Sequence, residues 1–223
     1  MKTRHTTNRT RAMTLIEVMV VIFVIVVLAA MFLPADNGSR RKVVAMRINC
    51  VNNLKYIGLA FRVWEGDNGD RYPIQFAVTN SDTMKLISNG NSYVLWQMMS
   101  NELSTPILLH CPADTEHAEA TGFATGFSDA NISYFFNLDG SEAYPQMILT
   151  GDDNLAVDGV RFPPGILNLS MNSSVTWTKE RHNGAGNIGI ADGSVQQVTS
   201  RGFNFALSNS TTTNQSAIRF VIP

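Results

Sequence analysis

His182 and Asp192 are an imidazole and a carboxylate separated by nine residues, and Gly193 follows the carboxylate. If the chain between them folds back as a strand, the two side chains could hydrogen-bond, which is half of a hydrolytic triad. The other half is missing. No Gly-x-Ser-x-Gly element accompanies the pair. The plainer reading is a histidine that fixes a hairpin by hydrogen bonding, and no enzyme is expected.

Metal-ligating residue types occur in three places. His110, Cys111, Asp114 and His117 lie close together, but the Cys-x2-Cys and His-Glu-x-x-His spacings of zinc sites are absent. Asp152, Asp153, Asn154 and Asp158 form one oxygen-rich stretch, and Asp67, Asn68 and Asp70 another. Both offer hard ligands suited to calcium, and neither matches an EF-hand. Most Asp/Asn-rich stretches are simply turns. No cofactor is expected, with calcium on Asp152, Asp153 and Asp158 left open.

Cys50 and Cys111 are the only cysteines. In an oxidising compartment an even count favours one disulfide, worth about 4 kcal/mol in the chain-entropy model for a loop of this size. Two independent buried thiols are the alternative.

Glu17 is the most unusual acid in the chain. It stands inside an apolar run from Met13 to Leu33, interrupted otherwise only by Thr14. At about 1.5 Å per residue such a run is long enough for a hydrocarbon core of roughly 30 Å. A carboxylate inside it carries an insertion cost, least near the helix end. Four basic residues and no acid precede the run: Lys2, Arg4, Arg9 and Arg11. They favour a cytoplasmic start, although Arg40, Arg41, Lys42 and Arg47 on the far side nearly balance them.

Ala12-Met13-Thr14-Leu15-Ile16-Glu17-Val18 resembles the signature of type IV prepilins and of the pseudopilins of type II secretion systems. The resemblance implies a leader of residues 1–12, cleavage between Ala12 and Met13 by a prepilin peptidase, and methylation of the new Met13 amine. Ala12 and Met13 stand where the family mostly has Gly and Phe. Thr14, Leu15, Ile16 and Glu17 match fully and imply the assembly element. Glu17 would then neutralise the freed Met13 ammonium of a neighbouring subunit, each charge losing much of its burial cost by pairing. Two simpler alternatives remain. Glu17 could snorkel at the boundary of an ordinary anchor, or the run could be an export signal cut near Ala29.

The elements that must position these groups are partly readable. Pro34 and Ala35-Asp36-Asn37-Gly38-Ser39 predict a kink or break. From Ser39 to about Trp64, Val43, Met46, Cys50, Leu54, Ile57, Phe61 and Trp64 recur every three or four residues, which predicts one amphipathic helix with Cys50 on its apolar stripe. Gly66-Asp67-Asn68-Gly69-Asp70 ends it, and Tyr72-Pro73 is expected to open an extended segment. Residues 83–103 look partly helical. Strands are expected at Ile107–Leu109, Ser133–Phe136, Met147–Leu149, Val175–Trp177 and Ile218–Ile222. Asn187–Ala191 and Ser194–Val198 flank Asp192-Gly193, a pair suited to a type I′ hairpin turn.

The second half extends the resemblance. His182, Asp192 and Gly193 fit the H-x9-DG signature of prepilin-like proteins numerous in planctomycete and verrucomicrobial bacteria. Cys50-Val51-Asn52-Asn53-Leu54 and Cys111-Pro112-Ala113-Asp114 fit the same group's motifs. The group implies an α+β, pilin-like fold, a long N-terminal helix on a C-terminal antiparallel sheet, and no established chemistry for the motif. The expected organisation is a leader at 1–12, a transmembrane assembly helix at 13–33, its extracytoplasmic continuation at 34–66 and a globular sheet domain at 67–223.

Composition fits that plan. Removing the four basic residues of the leader leaves 13 Lys and Arg against 18 Asp and Glu, so the mature chain carries about −5 and suggests no nucleic-acid partner. The implied partners are other pilin-like subunits, the peptidase, an assembly platform and the inner membrane. The expected function is a pseudopilus or pilus-like subunit with its globular domain in the periplasm. The alternative is a membrane-anchored binding module for glycan or another envelope component, with Tyr93, Trp96, Tyr134 and Trp177 lining a groove.

Overall fold

The computed structural model describes residues 13–32, 38–170, 173–210 and 217–223. The leader with Ala12, and Leu33 and Pro34, lie outside the described residues. Packing separates two units, Met1–Arg41 and Lys42–Pro223.

In the first unit, α1 (Leu15–Phe32) is a helix with no polar face. Its described side chains, from Leu15 to Ala30, are all exposed. A helix hydrophobic all round belongs in apolar surroundings. Eighteen residues extend roughly 27 Å, short of a hydrocarbon core of roughly 30 Å. Among the described residues no helix is long and apolar enough to cross a membrane. The expected span from Met13 to Leu33 is thus trimmed at its start, because Thr14 caps the helix and Met13 precedes it.

The second unit begins within α2 (Gly38–Asp67). Gly38 and Ser39, expected at a break, are already helical. The predicted stripe is the buried face from Cys50 onward: Cys50, Leu54, Ile57 and Phe61 are shielded almost completely, whereas Val43 is exposed. Short helices follow: α3 (Pro73–Thr79), α4 (Ser81–Ser88), α5 (Tyr93–Met98) and α6 (Ser100–Leu103). Tyr72-Pro73 therefore opens a helix and not an extended segment. Proline is at home in a first helical turn, where its missing N–H is not needed. Ile107–Leu109 forms a 3₁₀ turn, Pro106–Leu109, and not a strand.

The strands are β1 (Tyr134–Asn137), β2 (Ile148–Asp152), β3 (Leu155–Val157), β4 (Val160–Arg161), β5 (Gly165–Ser170), β6 (Val175–Trp177), β7 (Ala185–Ile190), β8 (Val195–Thr199) and β9 (Ala217–Ile222). Six form a sheet in the order β5-β9-β1-β2-β7-β8, and β4-β3-β6 form a smaller one. Every pairing among the described residues is antiparallel. A helix absent from the sequence reading, α7 (Ser200–Ser210), follows β8 directly.

Adjacent residues on a strand point to opposite faces, and β1 shows what covers each. Phe136 meets Phe61 of α2 and Trp96 of α5, both at 5.1 Å between ring centres. Phe135 meets Phe220 of β9 at 4.5 Å and Phe203 of α7 at 6.4 Å. The central sheet is thus covered on both sides, and β1 and β2 are buried along their whole length. This is why Tyr134-Phe135-Phe136 of β1 and Ile148-Leu149 of β2 are consecutive apolar residues and not alternations. The fold is α+β with antiparallel sheets, as the pilin-like expectation requires.

Candidate functional site

At the start of α1, Thr14 and Glu17 cap the helix reciprocally. The Thr14 N–H and hydroxyl both donate to Glu17 Oε2, at 3.0 and 3.1 Å, and the Glu17 N–H donates to Thr14 Oγ1 at 3.4 Å. This is a capping box, which satisfies amide donors that the first helical turn leaves open. The carboxylate also stands at the positive end of the helix dipole. Glu17 therefore has a role within its own chain, and the pattern Thr-x-x-Glu before an apolar run is the signal that marks it. Met13, Leu15 and Ile16 are strongly exposed beside it.

The second constellation is buried. Cys50 and Cys111 form a disulfide, with Cα atoms 5.2 Å apart. Three residues on, Asp114 collects a dense set of donors. The Ser133 hydroxyl donates to its Oδ2 at 2.6 Å, His117 Nδ1 lies 2.7 Å from the same oxygen, and Arg181 Nη2 lies 3.0 Å away. Arg181 also reaches Asp153 Oδ1 at 2.5 Å and donates from Nη1 to the Ser133 carbonyl at 3.1 Å. One guanidinium thus ties the Cys-Pro-Ala-Asp loop to the ends of β1 and β2. Burial works against the Asp114 charge, but the bond from His117, the Arg181 charge and the Ser133 hydroxyl hold its carboxyl well below the usual range. Asp153, fully enclosed, is pushed up to about 6 by burial despite Arg181.

His182 enters beside this network. His182, Asn183 and Gly184 all have positive φ, at 50°, 59° and 74°. Left-handed backbone is uncommon for a histidine, and here the turn lets neighbouring Arg181 and His182 both enter the interior. His182 Nε2 lies 3.5 Å from Cys111 Sγ and 3.5 Å from Asp152 Oδ2. Burial, with the charges of Arg47 and Arg181, lowers its pKa to about 4. Asp152 accepts from the backbone and side-chain N–H groups of Asn187, at 2.7 and 2.9 Å, and burial raises it to about 7.

Asp192 does not join His182. The two residues flank opposite ends of β7, a strand of roughly 20 Å. Asp192 is exposed in the β7–β8 turn, where its Oδ1 accepts the Ser194 N–H at 2.8 Å. The turn is not type I′ either. Only Gly193 takes positive φ, at 87°, and its N–H donates to the Ile190 carbonyl at 2.9 Å while the Ile190 N–H donates to Ser194. That is a three-residue loop ending in a left-handed glycine. The nine-residue spacing therefore measures one strand with its two turns, and the imagined catalytic pair dissolves.

Of the other ligand candidates, Asp114, His117 and Asp153 converge, with Arg181 as the cation between the two acids, and the rest disperse. Asp152 and Asp153 lie at the end of β2 facing different partners, and Asp158 is exposed in the β3–β4 turn with φ 51°. Among the described residues these three form no common ligand set. His110 Nε2 contacts the His117 carbonyl at 3.1 Å, away from the disulfide sulfurs. Trp96, Tyr134 and Trp177 are buried in the core and Tyr93, partly buried, packs on Phe127, so among the described residues the four do not gather into an aromatic groove. Sequence reasoning missed Arg181 and Ser133, whose types carry no marker of burial.

With this geometry in place, comparison with known families is informative at one end of the chain. Residues 7–33 match the family model of the prokaryotic N-terminal methylation motif. The chain carries that motif. The methylation motif supports a prepilin-like protein, membrane-anchored or pilus-associated, and its matched stretch contains the Thr14–Glu17 capping box. No curated protein and no solved structure shows a significant match to the chain.

Proposed function

We propose that this protein is a prepilin-like structural subunit. It is cut between Ala12 and Met13, methylated on the new Met13 amine and assembled through α1 into a type II secretion pseudopilus or a type IV pilus-like filament. The single observation that carries the reading is α1 itself, apolar on every side, uncovered in the single chain, and opened by an acid in its first turn. A surface of that kind is stable only against lipid or against other copies of the helix. Before assembly it sits in the inner membrane, with the leader in the cytoplasm and the second unit outside. A prepilin peptidase and an assembly platform are the partners that this sequence of events requires. The role is mechanical and not enzymatic.

Glu17 serves twice in this scheme: it caps its own helix, and it offers a charge to the Met13 ammonium of a neighbour. Glutamine also closes a capping box, so Glu17→Gln separates the two roles. The expected result is normal membrane insertion with lost filament assembly, read by shear fractionation of cells. Full assembly in that variant would leave capping as the only role. Amino-terminal sequencing of the native protein tests processing: an N-methylated Met13 supports the reading, and a start at Met1 or near Ala30 overturns it. The alternative of an anchored glycan-binding module loses its main support, because the aromatic residues it needs are core.

A further inference from the structure

Three side chains from different parts of the second unit converge at the end of α2. Glu65 lies in its last turn, Asp70 in the turn after it, and Glu142 in the β1–β2 loop. One carboxylate oxygen from each lies within 4.8 Å of the other two. The backbone is shaped for this. The N–H groups of Asn68 and Asp70 both donate to the Glu65 carbonyl at 3.1 Å, and Asp70 takes a left-handed φ of 60°.

Glu65 is the informative member. Only 6% of it is exposed, and among the described residues its Oε2 has no partner within hydrogen-bond distance. A buried carboxylate oxygen without a donor is costly. The Tyr72 hydroxyl is also buried and has no partner within hydrogen-bond distance among the described residues. One cation is near: Arg62 Nη1 is 3.7 Å from Glu142 Oε1, but its Nη2 is committed to the Ala191 carbonyl at 2.9 Å. The acids therefore outnumber the positive charge that faces them.

We propose that Glu65, Asp70 and Glu142 bind a calcium ion that clamps the end of α2 to the β1–β2 loop. Three hard oxygen donors without sulfur or imidazole select calcium or magnesium over zinc. Asp70 is exposed and Glu142 half-exposed, which leaves room for the water ligands that calcium's six to eight positions need. The two other convergent groups of ligand-type side chains among the described residues are already served. Arg181 is the cation between Asp114 and Asp153, and the sulfurs beside His182 are joined in a disulfide.

The test uses the full chain in detergent micelles, stripped with chelator and titrated with calcium chloride. At about a hundredfold excess over Kd, the melting temperature of the second unit should rise by roughly 5–10 °C. Terbium should show luminescence sensitised by Trp64 and Tyr72, and calcium should displace it. Glu65→Gln should abolish both signals. Should that variant fold poorly, Glu142→Gln at the more exposed position should weaken binding at least tenfold. Asp152→Asn should leave both signals intact. A melting temperature unmoved by calcium, or terbium binding equal in Glu142→Gln and the parent, would overturn the site.

Discussion

Glu17 Oε2 accepts both the backbone N–H and the hydroxyl of Thr14, so the acid that interrupts the apolar run also starts the helix. Replacing Thr14 by Ala removes the side-chain half of the box and should cost about 1 kcal/mol. Amide exchange in micelles should speed up in the first turn of α1 and stay unchanged in its centre. Equal protection in both proteins would mean that surroundings, and not the cap, hold that turn.

The disulfide should dominate the stability of the second unit. Its cysteines are 61 residues apart, a loop for which chain entropy gives about 4 kcal/mol. Cys50→Ser with Cys111→Ser should lower the melting temperature by roughly 8–16 °C. A shift below about 3 °C would show that the reduced chain is already constrained there.

Arg181→Met should be among the most damaging single changes. It leaves Asp114 and Asp153 enclosed without their shared cation, a loss of about 3–5 kcal/mol. Arg181→Lys keeps the charge but not the planar fork that reaches two carboxylates and the Ser133 carbonyl, so it should rescue only part. Chemical denaturation of the three proteins decides the order.

Stability should peak on the acid side of neutral. Asp152 and Asp153, raised to about 7 and about 6 by burial, hold protons in the fold at pH values where the unfolded chain has lost them. Their contribution falls as pH rises from about 4 to 7. His117 acts in the same direction: burial lowers its affinity for a proton, but the Asp114 bond and nearby carboxylates raise it overall. His182, held near 4, opposes them between about 4 and 6.5. Asp114, depressed by its partners, loses its contribution only below about pH 4. Melting in chelator should therefore be highest near pH 4 and decline toward pH 7.5, and Asp152→Asn should flatten the decline. A parent curve that rises over that interval would contradict the balance.

How far the sequence disclosed this molecule depended on whether a signal was local. The stripe through Cys50, Leu54, Ile57 and Phe61 repeats with the helical period, so α2 was legible without any partner. β1 was legible as a short apolar run, and β9 by the alternation of Ile218, Phe220 and Ile222. Tyr72-Pro73 misled because proline suits both extended chain and a first helical turn. The Asp192-Gly193 turn was placed correctly but typed wrongly, since a left-handed Gly193 serves several loop lengths. The Arg181 network was hidden, because Ser133, Asp153 and Arg181 meet only after the sheet forms. Thr14 and Glu17 were noticed for the membrane problem they pose, while their three-residue spacing already contained the cap.

The bond between Cys50 and Cys111 also fixes how the second unit bears a load. Cys50 lies on α2, and Cys111 leads into the loop whose Asp114 is held through Arg181 to β1 and β2. A pull along α2 reaches the sheet through a covalent strut and does not have to peel the helix away contact by contact. In a reducing bath the same pull would meet only side-chain packing, and the rod would come off the body at lower force.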